Sequence, residues 1–163
     1  MLANATKILA IDILDGKLEL AKLFGATHVI NASKEDPLKK VLEITKGIGV
    51  DYAFEAIGKA ETALTTYKLI RRGGYAVVVG VPDLEAKLTL PLYEIPLMEK
   101  SILGCNYGSG EPRVDLITFL ELYKSGRIHL EKLITRRYRL EEINAGFKDL
   151  EAGKNARGVI IYS

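Results

Sequence analysis

Residues 7–25 read KILAIDILDGKLELAKLFG, and the fold turns on how that stretch is understood. Its first six residues are nearly all apolar, as in a strand buried on both faces, and they end in Asp12. The following DGKLELAKLFG (15–25) has helical spacing, with Gly25 placed to terminate it. An apolar strand that closes on an acid just ahead of a helix is the pattern of the second strand in a dinucleotide-binding unit. There a glycine-rich turn precedes the acid by about 20 residues. Only eleven residues precede Asp12, and none of them is glycine.

Two roles for Asp12 stay open at this point. Its carboxylate can accept hydrogen bonds from the vicinal hydroxyls of an adenosine ribose and repel a 2′-phosphate, which favours NAD over NADP. It can also simply cap the next helix. Lys17 lies in the first turn or so of that helix, a poor place for a cation on dipole grounds. An anionic or hydroxyl-bearing partner nearby would explain it, and so would plain exposure.

The same alternation continues along the chain, as expected for a parallel sheet with crossover helices. THVIN (27–31) is a short strand. EDPLKKVLEITKG (35–47) is a helix with Asp36 as N-cap, Pro37 at its first position and Gly47 past its end. VDYAFEAIG (50–58) is a strand with its exit loop, and AETALTTYKLIRRGG (60–74) a helix closed by Arg71, Arg72 and two glycines. YAVVVG (75–80) is a β-branched strand, and another strand is expected at 101–105. PRVDLITFLELYKSG (112–126) reads as a long amphipathic helix, EEINAGFKDLEAG (141–153) as a further helix, and RGVIIYS as a final strand. With no linker, repeat or low-complexity segment, residues 1–163 are expected to form a single partial nucleotide-binding domain.

Composition narrows the function classes. Hydrophobic residues make up 48% and charged residues 27% of the 163, and the net charge is +2 with both signs interspersed. That bias is too small for a nucleic-acid surface, no basic stripe runs along the chain, and the arginine clusters RRGG and ITRRYR are each short. Cys105 is the only cysteine, which rules out an intrachain disulfide and a paired-cysteine metal site. A cytoplasmic setting is expected, and no apolar run reaches the ~20 residues of a membrane span.

Ligands of such folds sit beyond the carboxyl ends of the strands. The residues to interrogate there are Asp12, Asn31, Ala56 to Gly58, Gly80 to Pro82, and Cys105 to Gly108. Gly58 and Gly80 would let a flat ligand approach the backbone, although glycine is common in any turn. The catalytic inventory is thin: His28 and His129 stand in no metal spacing, and Cys105 has no histidine near it in sequence. Glu55, Glu94 and Glu99 read equally as acids or as solvated or ion-paired side chains.

With these segments in place the sequence closely resembles the C-terminal half of zinc-dependent medium-chain alcohol dehydrogenases. The resemblance rests on ILAIDILDGKLELAKLFGATHVINAS, GVDYAFEAIG, GGYAVVVGVP, KSILGCNYGS and ITRRYRLEEINAGFKDLEAGKNARGVIIYS, in family order over essentially the whole chain. It implies that MLANAT is the last turn of a helix, and that the glycine-rich turn and the zinc-bearing catalytic domain are missing. The implied fold class is α/β, a Rossmann-like parallel sheet with helices on both faces, incomplete because the first βα unit is missing. The implied cofactor is NAD, bound weakly or not at all by this chain. Zinc belongs to the intact family, and this sequence holds no ligands for it.

Residue by residue, the resemblance sets Asp12 and Lys17 at the adenosine ribose and Ile13 beside the adenine. Ala56, Ile57 and Gly58 line the cofactor, and Val79, Gly80 and Val81 stand beside the nicotinamide. Backbone groups of Cys105 and Tyr107 meet the carboxamide, and Arg157 reaches the pyrophosphate. The 88–104 region is implied to pair with its twin, making a homodimer the expected assembly.

In the family's strand order, 3-2-1-4-5-6, the absent strand is the central one, so two strands are expected to have unpaired edges. Two functions therefore compete: the NAD-binding portion of an alcohol dehydrogenase, inactive alone, or a non-catalytic dimerisation or interaction module. A methyltransferase-like protein would also want an acid at Asp12, but the match beyond Gly58 speaks against it.

Overall fold

A computed structural model of the chain describes residues 4–162, which divide into two compact units, 4–34 with 111–162, and 35–110. In the first unit, β1 (Leu9–Asp12) and β2 (His28–Asn31) pair in parallel across the helix α1 (Asp15–Leu23), with Leu9 opposite His28 and Asp12 opposite Asn31. Leu18 of α1 and Ile30 of β2 are buried between helix and strands. Phe24 ends α1, and Gly25 follows at φ 98°, the left-handed conformation that lets the chain turn into β2. Residues 4–6 form no helix, against the expectation for MLANAT, whose residues 1–3 lie outside the described ones.

β1 is half-buried along its length, not buried on both faces. Its sheet has two strands, so its other edge has no partner among the described residues. The same unit continues through α5 (Pro112–Lys124), β6 (Ile134–Arg139), α6 (Ile143–Glu151) and β7 (Arg157–Ile161), with β6 and β7 a second parallel pair. α5 buries none of its residues; Leu116, Ile117 and Phe119 are all exposed. β6 was not expected, because three arginines interrupt its apolar positions and leave Tyr138 as its one buried residue.

The second unit holds α2 (Pro37–Ile44), β3 (Val50–Glu55), α3 (Ala60–Leu69), β4 (Ile70–Val78), the short α4 (Glu94–Met98) and β5 (Ser101–Gly104). Its sheet runs β3-β4-β5, all parallel, and β3 has no neighbour on its other side among the described residues. Val41, Tyr67, Ile70 and Ala76 are buried in its core. α2 starts as its sequence dictates: the Asp36 carboxylate accepts from the Leu38 and Lys39 amides, and Pro37 needs no partner at the first position.

The one boundary that moves far is the end of α3. The helix stops at Leu69, and RRGG belongs to β4. Ile70 turns extended (φ −73°, ψ 142°) and pairs with Val50, while Arg71 Nε donates to Asp51 at 2.7 Å. The register is irregular between Val50 and Tyr52, and Gly73 at φ 66° takes up the slack. Pairing with a distant strand overrides a local helix-stop signal.

The N-cap of α2 gives a direct test. Asp36→Ala is expected to lower stability by about 1 kcal/mol in urea denaturation, with Asp36→Asn recovering most of it. An unchanged midpoint in Asp36→Ala would show that α2 does not need its cap.

Candidate functional site

In the second unit the ends of the three strands are in register, Glu55 opposite Val78 and Val78 opposite Gly104. Ala56–Gly58, Val79–Val81 and Cys105–Tyr107 therefore leave the sheet along one edge. Glu55 organises the first two exits. Its backbone carbonyl accepts from the Val79 and Gly80 amides at 2.8 and 3.0 Å. Its side-chain Oε1 accepts from the Ile57 and Gly58 amides at 2.9 Å each and from the Thr62 hydroxyl at 2.7 Å. α3 has no side-chain cap from its own N-cap, Lys59, so Glu55 supplies the negative charge at that helix end.

The exits press against each other. A Cβ at Gly80 would lie 2.6 Å from Glu55 Oε2, and one at Gly58, which has φ 86°, would lie 2.5 Å from the Val81 carbonyl oxygen. Only glycine fits at either place. What remains on the outside is apolar: Ile57 is 65% exposed and Val81 89% exposed. A pocket of about 120 Å³ opens beside them, lined by Glu55, Gly58, Ala60, Val78, Gly80 and Leu88 among others. At the third exit the Cys105 amide donates to the Val78 carbonyl at 2.9 Å, so its own carbonyl is the backbone group left for a ligand. Tyr107 is fully exposed, at φ 48°.

Glu55 corrects the sequence expectation for the acids. It is neither solvated nor ion-paired but 2% exposed and held by amide and hydroxyl donors. Glu94 does pair with Lys100, at 3.5 Å, and Glu99 ends α4 at φ 52°. His28 has its Nδ1 at 2.9 Å from Thr27 Oγ1. Among the described residues no group of three or more His, Cys, Asp or Glu side chains is placed to hold a metal ion. No described helix is long and apolar enough to cross a membrane.

In the first unit, Asp12 Oδ1 accepts from the Leu14 amide at 2.9 Å, which makes Asp12 the cap at the entry to α1. Nothing else among the described residues bonds its carboxylate, so Oδ2 stands open. Ile13, next to it, is exposed. Asn31, at the end of β2, is buried and structural: its amide donates to Asp15 at 2.6 Å and accepts from the Ser33 amide at 2.9 Å. Lys34 and Asn31 together hold the Asp15 carboxyl below its ordinary value.

Lys17 is neither at an anion nor merely exposed; its ammonium donates to the backbone carbonyl of Asn155. Arg157, two residues on, is exposed at the start of β7 and lines a pocket of about 260 Å³ with Tyr138, Phe147, Leu150 and Asn155. Sequence reasoning missed Asn155, Thr62 and the capping role of Glu55. For Glu55 a signal exists: an acid closing a strand just before a helix whose own N-cap residue is a lysine.

Burial alone would push the Glu55 carboxyl up, but the donors on Thr62, Gly58, Ile57 and Lys59 outweigh it and hold it below the ordinary 4.5. Between those two values the folded chain binds fewer protons at this site than the unfolded one. Its stabilisation is therefore complete above 4.5 and lost as pH falls through the lower folded value. Glu55→Gln is expected to cost about 1–3 kcal/mol at neutral pH and to flatten the loss of stability as pH falls below 4.5. Urea denaturation across that range checks both. An identical acid limb in the variant would mean Glu55 is not a donor-held carboxylate.

Known proteins are similar to this chain in sequence and in fold. A family described as zinc-binding dehydrogenase matches residues 1–125. An NDMA-dependent alcohol dehydrogenase of Amycolatopsis methanolica is 39% identical over 165 residues, covering 99% of this chain and 44% of that protein. Alcohol dehydrogenase 1 of Pisum sativum is 35% identical over 163 residues, covering 98% of this chain and 42% of its own length. Among solved structures, benzyl alcohol dehydrogenase from Acinetobacter calcoaceticus superposes with a TM-score of 0.93 at 33% identity, over 99% of this chain and 44% of that one. The chain thus spans less than half the length of these relatives, and the match confirms the Rossmann-like α/β fold that the sequence implied. On the extent of the family match and on these identities, the chain belongs to the zinc-binding dehydrogenase family.

Proposed function

We propose that this chain is the NAD-binding portion of a zinc-type alcohol dehydrogenase. The observation that carries the proposal is the glycine-lined approach of the β3 and β4 exits, which leaves Ile57 and Val81 exposed on the carboxyl edge of a parallel sheet. When bound, NAD would supply the hydride acceptor for oxidation of an alcohol carbon. Asp12 would take the adenosine ribose through its open Oδ2, with Ile13 against the adenine and Lys17 close to the same ribose. The charge on Asp12 would oppose a 2′-phosphate and so select NAD over NADP. Arg157 would meet the pyrophosphate.

Ala56, Ile57 and Gly58 would line the cofactor, and Val79, Gly80 and Val81 would face the nicotinamide. Carbonyls of Cys105 and Tyr107 are suited to the carboxamide, which needs acceptors for its amide hydrogens. The donor set for zinc does not fit: the described residues bring no ligand cluster together, so no step through zinc belongs to this chain.

The assembly we propose is a homodimer through 88–104. Among the described residues β5 has one sheet neighbour and a free edge, and Leu92, Tyr93, Leu97 and Leu103 around it are exposed. The single free thiol, Cys105, suits a reducing cytoplasm.

Calorimetric titration tests the cofactor. The chain is expected to bind NADH weakly and NADPH more weakly still. Asp12→Ala should weaken NADH by roughly tenfold or more, the loss of a charge-assisted hydrogen bond. A folded chain that gives no heat with NADH ends this proposal. Sedimentation equilibrium tests the assembly: a dimer is expected, and Leu103→Asp should shift it to monomer. A wild-type monomer at high micromolar concentration would remove the 88–104 interface.

A further inference from the structure

Behind Lys17 and Arg157 lies a buried polar chain that none of the cofactor contacts uses. Asp149, 7% exposed on α6, accepts on Oδ2 from the Tyr138 hydroxyl at 2.9 Å and from the Arg136 guanidinium at 2.8 Å, and its Oδ1 faces the Lys154 ammonium at 3.4 Å. An ionised carboxylate only accepts, so the one hydroxyl proton of Tyr138 points at Asp149. The Tyr138 oxygen must then accept, and Asn155 Nδ2 donates to it at 3.0 Å. That direction fixes the Asn155 amide, whose Oδ1 is buried without a hydrogen-bond partner. The backbone carbonyl of the same residue receives the Lys17 ammonium.

The surroundings are tight. A Cβ at Gly158 would lie 2.9 Å from the Tyr138 ring and 3.1 Å from Asn155 Nδ2. The Ala156 amide donates to Thr135 Oγ1 at 2.9 Å, and Arg157 enters β7 opposite Ile134. Residues 155–157 thus have their side chain, their amide and their strand register all specified. Stability alone does not ask for an asparagine here, since an apolar side chain would fill the place without leaving a buried oxygen unsatisfied. What the amide adds is direction.

We propose that Asp149, Tyr138 and Asn155 act as a positioning relay that sets where the Lys17 ammonium and the Arg157 side chain stand. Its functional meaning rests on the reading of both as NAD contacts. None of the three relay residues touches the cofactor; they act through the Asn155 carbonyl and the course of the chain into β7.

Two measurements on the full chain test it. In the first, lysines are acylated by a water-soluble anhydride and read by mass spectrometry in wild type, Tyr138→Phe and Asn155→Ala, with circular dichroism confirming that each is folded. Lys17 labelling is expected to rise roughly three- to tenfold in both variants, the range that loss of one net hydrogen bond allows. Lys22 and Lys34, paired elsewhere with Glu19 and Asp15, should keep their rates. Unchanged Lys17 labelling in folded variants overturns the relay.

The second is a double-mutant cycle on NADH affinity with Tyr138→Phe and Lys17→Met. A loss in the double variant smaller than the sum of the two single losses supports the relay, with any remainder passing through Arg157, whereas additive losses show a merely structural role and overturn it. The two readings fail separately. Raised Lys17 labelling in a chain that ignores NADH sinks the cofactor reading and keeps the relay. NADH binding with flat labelling does the reverse.

Discussion

The Glu55 carbonyl and carboxylate together receive hydrogen bonds from Val79, Gly80, Ile57, Gly58 and Thr62, and the carboxyl edge of the second unit depends on that set. A carboxylate this buried, with no ion pair, is strongly penalised unless donors replace its lost hydration. Here two amides, a hydroxyl and the positive end of α3 serve Oε1 and hold the carboxyl below its ordinary value, while Oε2 is buried without a hydrogen-bond partner. The consequence for function is rigidity. The 56–58 turn and the 79–81 exit are fixed with no ligand in place, so a flat ring meeting Ile57 and Val81 would not have to order them first.

That rigidity contrasts with how much else of the chain lacks a partner. Among the described residues β1 pairs only with β2 and β3 only with β4, so each keeps one edge of amides and carbonyls unpaired within its sheet. α5 buries none of its residues, although Leu116, Ile117, Phe119 and Leu120 would each favour burial by about 1.5–3 kcal/mol. Exposed apolar surface of this kind marks contacts with something else.

What the sequence made legible is what local spacing encodes. β1, α1 and β2 stand where KILAID, DGKLELAKLFG and THVIN place them, and Asp36 with Pro37 starts α2 as read. RRGG was misread because its glycines look like a helix stop, whereas the deciding contact, Ile70 with Val50, is twenty residues away and invisible to periodicity. β6 was hidden for the opposite reason: its arginines break the apolar alternation, and the one side chain that anchors it, Tyr138, reaches Asp149 and Asn155 on other elements. The acid at position 55 was visible, but not that its partners would be amides of the turn it precedes. Strand order and family match located the candidate exits; hydrogen-bond partners came only with the coordinates.

Asp12 and Lys17 show why the opening question had no single answer in sequence. Capping α1 and holding a ribose looked like alternatives, yet a carboxylate has two oxygens, and Oδ1 on the Leu14 amide leaves Oδ2 available. The cap even favours the second role, since it fixes the carboxylate before any ligand arrives. Lys17 is the reverse case. Its ammonium already has an acceptor in the Asn155 carbonyl, so a ribose hydroxyl or phosphate gains from it only by sharing or replacing that bond. An ammonium carries three donor hydrogens, so sharing is chemically open, and it keeps the relay intact while the ligand is held. The adenosine end of the proposed site is then defined by one acid with a spare oxygen and one base with spare hydrogens, each anchored by a backbone group of the same compact unit.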